Sequence, residues 1–126
     1  MENKKIILII EDDESLLEVL GQGVSDSGFK VLKAKNGADG LEMAVENKPD
    51  LILLDLIMPK MDGLTMLDKL REDEWGKDVP VIVLTNLSSP EEISKTVDKG
   101  VSNYLVKSNW KLEEILKKVK QVLEEE

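Results

Sequence analysis

The chain has 126 residues, 41% hydrophobic and 34% charged, with a formal net charge of -9, the size and balance of one domain with a single core. It contains no histidine and no cysteine, which excludes imidazole acid–base chemistry, a Ser-His-Asp triad, disulfides, thiol nucleophiles and zinc sites built on those ligands. The acidic balance argues against nucleic-acid binding, which needs Lys and Arg to neutralise phosphates. No apolar run has the length of a signal-peptide core or a membrane span, so a cytoplasmic protein without a membrane partner is expected.

The first predicted strand, "IILII" (6–10), is apolar throughout and is followed at once by Glu11, Asp12 and Asp13. A helical stretch at 14–27 leads to the strand "KVLKA" (30–34), interrupted by Lys30 and Lys33 and followed by Lys35. After a helix at 37–47 and the turn Lys48-Pro49-Asp50 comes "LILL" (51–54), which runs straight into Asp55. Asp62-Gly63 opens the next helix, 63–73, and "VIVL" (81–84) ends against Thr85. Ser89 stands at the N-cap of a helix at 90–99, with Pro90 at its first position and Glu92 where a capping box needs it. Ile93 and Val97 are that helix's main apolar anchors, a thin hold that marks it as an element able to move. "NYLV" (103–106), flanked by Ser102 and Lys107, is the fifth strand. The last helix, 110–124, carries Leu112, Ile115, Leu116, Val119, Val122 and Leu123 in a stripe at helical spacing, and the closing "EEE" reads as its solvated end.

Five repeats of strand then helix imply an α/β fold, its parallel strands joined by right-handed crossovers. Strands one, three and four are apolar enough to be covered on both faces, whereas lysines mark strand two and polar flanks mark strand five as edges. That assignment gives a doubly wound, flavodoxin-like sheet of order 2-1-3-4-5 with helices on both faces. Ligands in such sheets sit beyond the carboxyl ends of the strands, near the switch between strands one and three. Asp55 lies there.

Strands one and three are neighbours in this order, so Glu11, Asp12 and Asp55 should converge on one crevice. Crowded carboxylates repel, a conflict that a hard divalent cation, Mg²⁺ or Mn²⁺, resolves by taking an octahedron of oxygens, several of them from water. Asp12 and Asp55 are the expected direct ligands, a backbone carbonyl just past Asp55 a third, and Glu11 the holder of metal-bound water. Asp55 can also attack phosphorus to form an aspartyl phosphate, whose equatorial oxygens Lys107 and Thr85 would help to stabilise. Asp13 reads as the cap of the first helix in preference to a ligand. Met58, Pro59 and Met61 read as loop packing; Trp75 and Trp110 follow no functional pattern.

The segments "ILIIEDDE", "PDLILLDLIMPKMDG", "VPVIVLT" and "NYLVK", in this order and at these separations, closely resemble the receiver domain of two-component response regulators over essentially the whole chain. The resemblance implies a stand-alone single receiver, 1–126, in which Asp55 accepts a phosphoryl group from the phosphohistidine of a sensor histidine kinase or a histidine phosphotransfer protein. It implies Glu11 and Asp12 as the acid pair, the carbonyl of Ile57 on the metal and Lys107 on the phosphoryl group. It further implies Thr85 and Tyr104 as a switch pair: the hydroxyl moves toward the phosphoryl oxygens and the ring turns inward behind it. The face of helix four, strand five and helix five would then bind a downstream protein or pass the phosphoryl group on. Such a protein is a signalling phosphoacceptor that assists its own phosphorylation and slow dephosphorylation, as a monomer or a phosphorylation-dependent dimer. A phosphohydrolase would want a second acid soon after Asp55, where Leu56, Ile57 and Met58 stand; a flavodoxin-like cofactor binder would want a Ser, Thr or Gly-rich loop where "EDDES" stands. A degenerate receiver that switches without phosphate is disfavoured by the retained acids, Thr85 and Lys107.

Three features depart from the family pattern. Receivers usually follow the lysine with a proline in a cis peptide bond; here Ser108 follows, and a non-prolyl cis bond costs about 3 kcal/mol, so a trans bond is expected, with Ser108 or Asn109 capping the last helix. Asn86 is larger than the small residue usual after the switch hydroxyl, so it either hydrogen-bonds the phosphoryl group or narrows access to it. Ile57 and Leu87, each two past a site residue, are apolar and cannot orient an attacking water, which predicts a long-lived phosphorylated state.

Overall fold

The structure, a computed structural model, describes residues 4–124; Glu125 and Glu126 of the expected solvated helix end lie outside them. Five strands alternate with five α-helices: β1 (Ile6–Ile10), α1 (Glu14–Asp26), β2 (Lys30–Ala34), α2 (Gly37–Asn47), β3 (Leu51–Leu54), α3 (Gly63–Glu72), β4 (Val81–Thr85), α4 (Pro90–Val97), β5 (Asn103–Val106) and α5 (Leu112–Glu124). All neighbouring strands pair in parallel, in the order β2-β1-β3-β4-β5. The lysine-bearing strand and the strand with polar flanks are indeed the two edges.

Local chemistry starts each helix where the chain leaves a strand end. Asp13 accepts a hydrogen bond from the Leu16 N–H at 3.2 Å and so caps α1, as expected of a short acid at that position. Asn36, Asp62 and Ser89 cap α2, α3 and α4 in the same way, accepting from Asp39, Thr65 and Glu92. The last helix departs from expectation. Ser108 and Asn109 lie in a short 3₁₀ turn, Lys107–Asn109, and α5 begins only at Leu112. Its cap comes from within: the Lys111 N–H donates to the Glu114 carboxylate at 2.9 Å, the returning half of a capping box.

Alternation along the strands divides the core into two layers. Ile7, Ile9, Leu51, Leu53, Ile82, Leu84 and Leu105 face α1 and α5. Leu8, Ile10, Ile52, Leu54, Val81 and Val83 face the other side, where Met66, Leu67 and Leu70 of α3 and Ala44 of α2 cover them. Each such Val, Leu, Ile or Met contributes about 1.5–3 kcal/mol by leaving water. The α5 stripe packs as expected, with Ile115, Val119, Val122 and Leu123 buried.

On α4 the expected anchors are half right. Ile93 is partly covered, but Val97 is 49% exposed and Thr96 takes the buried position, its hydroxyl returned to the Glu92 carbonyl at 2.7 Å. Threonine can be buried here because its own helix satisfies its hydroxyl. The thinness of the hold survives the correction: Thr96 is the one buried residue of α4.

The sheet assignment makes a contrast testable by urea denaturation. Leu53→Ala, in the central strand, should cost about 2–5 kcal/mol. Lys33→Ala, on the edge strand, should change stability by less than about 0.5 kcal/mol, because its ion pair with Glu18 is exposed. Equal losses would contradict the layering.

Candidate functional site

The carboxyl ends of the strands hold the chemistry. β1 runs into Glu11, and β3 into Asp55 in the adjoining strand. Both side chains are nearly out of water, at 2% and 5% exposure. Asp12 is exposed, and one carboxylate oxygen from each of Glu11, Asp12 and Asp55 lies within 4.8 Å of the others. The sequence expectation that these acids converge is met.

Lys107 arrives from the end of β5. That strand lies two places from β3, roughly 10 Å at the usual strand spacing, and the long lysine stem reaches back toward it. Its ammonium stands 2.8 Å from Glu11 Oε1 and donates to Asp55 Oδ2 at 3.0 Å. The Lys107–Ser108 peptide is trans, so the usual proline is not required for this reach. The pairing with Glu11 was not foreseen: the sequence reading gave Glu11 to metal-bound water and Lys107 to the phosphoryl group. A buried acid opposite a strand-end lysine was the signal for it.

Burial raises the Glu11 pKa, and the hydrogen bonds from Lys107 and the Asp13 N–H oppose that rise without cancelling it. Burial also works against the charge on Lys107, but the hydrogen bonds to Glu11 and Asp55 more than offset it and its pKa is raised. Lys107 therefore remains an ammonium ion, and the crevice holds two acids against one base, with Asp12 at the solvent edge. All the side-chain donors are oxygens, the set that suits a hard divalent cation such as Mg²⁺.

The loop after β3 is shaped by close backbone contacts. The Ile57 N–H donates to Asp55 Oδ1 at 3.3 Å and orients that carboxylate. Gly63 N–H donates to the Leu56 carbonyl at 2.9 Å, and a Cβ at Gly63 would lie 2.4 Å from the Asp55 carbonyl oxygen. From the other side Gly37 N–H donates to the Met61 carbonyl at 3.0 Å, and a Cβ there would lie 2.2 Å from that oxygen. Only glycine fits either place. Within the loop Met58 is buried while the Ile57 side chain is 55% exposed.

The remaining predicted residues line the β4 and β5 ends. Thr85 is fully buried, and its hydroxyl accepts from the Leu87 N–H at 3.4 Å. Asn86 is exposed and Leu87 half-buried. The Tyr104 hydroxyl donates to the Leu87 carbonyl at 2.6 Å. Burial, with the charges of Glu92 and Asp55, raises the pKa of this phenol, so it stays protonated as a donor. Thr85 and Tyr104 are thus joined through Leu87 and do not touch Asp55 by hydrogen bond. Trp110, without a role in the sequence, packs with Leu16 and Leu112 against the core layer under α1 and α5 and lies under the Lys118 ammonium, 5.8 Å from the ring centre.

Comparison with known proteins agrees with this geometry. The profile of the response regulator receiver domain matches residues 7–120. The DNA-binding dual master transcriptional regulator RpaA of Synechocystis is 38% identical over 117 residues, which are 93% of this chain and 48% of that protein. The chain thus spans about half the length of the curated relatives it matches. A CheY-like response regulator receiver protein from Methanospirillum hungatei superposes with a TM-score of 0.90 at 27% identity, covering 98% of this chain and 96% of that one. The CheX–CheY–BeF3–Mg complex of Borrelia burgdorferi superposes with a TM-score of 0.85 at 26% identity, covering 94% and 88%.

The pairing predicts a pH signature in metal-free buffer. Lys107→Met leaves Glu11 and Asp55 buried without their cation and should cost about 3 kcal/mol at neutral pH. Glu11 already has a folded-state pKa above its unfolded value, so its protonation favours the fold as pH falls. The deficit should therefore shrink on acidification through the upper carboxylate range. A deficit constant with pH would mean that the lysine stem matters and its charge does not.

Proposed function

The chain belongs to the response regulator receiver domain family, and from that premise we propose that Asp55 accepts a phosphoryl group from a partner's phosphohistidine in a Mg²⁺-dependent reaction. The observation that carries this reading is the buried Asp55 carboxylate at the end of β3, bonded to the Lys107 ammonium and grouped with Glu11 and Asp12. These 126 residues hold no histidine, so the donor imidazole lies outside them; the donors this reading calls for are a sensor histidine kinase or a histidine phosphotransfer protein.

Asp12, Asp55 and the Ile57 carbonyl would hold Mg²⁺, with Glu11 on its water; bound there, the ion would neutralise charge on the phosphoryl oxygens. An Asp55 oxygen attacks phosphorus, the P–N bond of the donor breaks, and imidazole leaves with the bonding electron pair. Lys107 exchanges its hydrogen bond with Asp55 for one with a phosphoryl oxygen, so no unpaired charge is created. The Ile57 N–H holds the attacking carboxylate in orientation. Thr85 turns its hydroxyl from the Leu87 N–H toward the new phosphoryl group, and Tyr104, bonded to the Leu87 carbonyl, follows the loop inward.

That coupling biases a pre-existing equilibrium of the α4–β5–α5 face, through which the receiver contacts its downstream protein target. Asn86 is exposed directly after Thr85 and meets an incoming donor. Ile57 and Leu87 offer no group to orient hydrolytic water, which gives the aspartyl phosphate a long life. A half-life of only seconds in Mg²⁺, followed by intact-protein mass, would overturn that last point.

The deciding experiment is intact-protein mass after incubation with a small phosphodonor, with and without Mg²⁺, on wild type and Asp55→Asn. A Mg²⁺-dependent gain of one phosphoryl group, absent from Asp55→Asn, is expected; a gain that persists in the variant places the acceptor elsewhere. Mg²⁺ at about a hundred times its Kd should stabilise the fold by about 2.7 kcal/mol. Asp12→Ala, at an exposed position, should fold normally and lose that gain in a thermal melt; an unchanged metal response would move the ligand to other residues.

A further inference from the structure

Arg71, in the last turn of α3, makes four hydrogen bonds to backbone carbonyls and takes no part in the chemistry above. Its Nε donates to the Lys99 carbonyl at 2.9 Å and its Nη2 to the Gly100 carbonyl at 3.0 Å, both just past the C-terminal end of α4. Its Nη1 donates to the Gly76 and Val79 carbonyls at 2.8 and 2.9 Å, in the segment that leads into β4. Among the described residues Arg71 forms no ion pair. The guanidinium lies where the C-terminal dipole of α4 favours a cation, and its rigid fork fixes two loops at once. Beside it Lys99 is paired with Asp68 of α3.

The other end of α4 is held differently. Among the described residues, two side-chain hydrogen bonds tie residues 86–89 to other elements, both at Leu87: its carbonyl accepts from Tyr104 of β5, and its N–H donates weakly to the adjacent Thr85 hydroxyl at the end of β4. The body of the helix offers Thr96 alone as a buried residue. Such a short helix would ordinarily fray at both ends. Here the fastenings are concentrated at one.

We propose that Arg71 is the pivot of α4: it pins the C-terminal end of the helix to α3, so that the helix moves as a lever whose free end is its N-terminus. The lever half of this inference rests on Asp55 being the phosphoacceptor; the pinning half does not.

Amide hydrogen exchange tests the pinning without phosphate. In the wild type the amides of Asp98 and Lys99 should exchange more slowly than those of Ile93 and Ser94, the reverse of ordinary C-terminal fraying. Arg71→Met should speed Asp98, Lys99 and Gly100 by about tenfold and leave the Leu53 amide in β3 unchanged. Unchanged exchange at 98–100 overturns the proposal. Should Leu53 accelerate equally, Arg71→Lys replaces the variant, since it keeps the charge but cannot bridge both loops; it must then show the local acceleration alone, and its failure to do so also overturns the pivot.

The lever is tested by spin labels, which the cysteine-free chain accepts at chosen places. Glu91→Cys and Asp98→Cys are each paired with Glu46→Cys on α2 and compared with and without beryllofluoride and Mg²⁺. The distance from position 91 should shift and that from position 98 should not. Equal shifts at both positions, or a shift at 98 alone, overturn the lever. A ¹⁹F spectrum without bound beryllofluoride would count against the phosphoacceptor reading, and the exchange result would decide the pivot by itself.

Discussion

One ammonium ion standing between two nearly buried carboxylates holds the functional end of this protein together. Glu11, Asp55 and Lys107 come from the ends of three different strands, and their charges are compatible only because the sheet order brings the base back over the acids. Removing two carboxylates from water is costly, and their mutual repulsion adds to the cost. The lysine offsets both while leaving Asp12 at the solvent edge. The crevice is therefore neutralised enough to fold and acidic enough to take a divalent cation.

The packing around that trio keeps its backbone in place. Strand β3 is buried on both faces and cannot shift without disturbing both core layers. The loop beyond it is gripped at Gly37 and Gly63, where carbonyl oxygens approach closer than any Cβ would permit. The core scarcely touches α4 by comparison, with Thr96 its one buried residue. The tight packing at Asp55 and the thin hold one strand away are two aspects of the same core.

Much of this was legible in the sequence because it depends on periodicity and on residue type at strand ends. The sheet order followed from the lysines of β2 and the polar flanks of β5; the acid cluster followed from adjacency of β1 and β3. The caps at Asp13 and Ser89 are short-range chemistry and were equally plain. What escaped depends on three-dimensional reach. The Lys107–Glu11 pair needs the twist of the sheet and the length of one side chain, which no spacing encodes. On α4, Thr96 and Val97 stand on adjacent faces, and hydrophobicity alone favoured the wrong one because the hydroxyl of Thr96 is satisfied by its own helix. Ser108 and Asn109 were good caps for a helix starting at 110, but α5 begins at Leu112, the first residue of its apolar stripe. Arg71 was hidden for another reason: its partners are carbonyls, and carbonyls have no letter in the sequence.

That choice of partners sets how the molecule answers its ionic surroundings. Neutral carbonyls do not titrate, and dissolved salt has little purchase on a hydrogen bond whose acceptor bears no net charge. The neighbouring link between Lys99 and Asp68 is a partly exposed ion pair and is open to screening. The two fastenings at the end of α4 thus differ in degree: the carbonyl bonds of Arg71 feel ionic strength mainly through the nearby charge of Asp78, whereas the ion pair is graded by it directly. The seat of the helix is fixed by the first and only trimmed by the second.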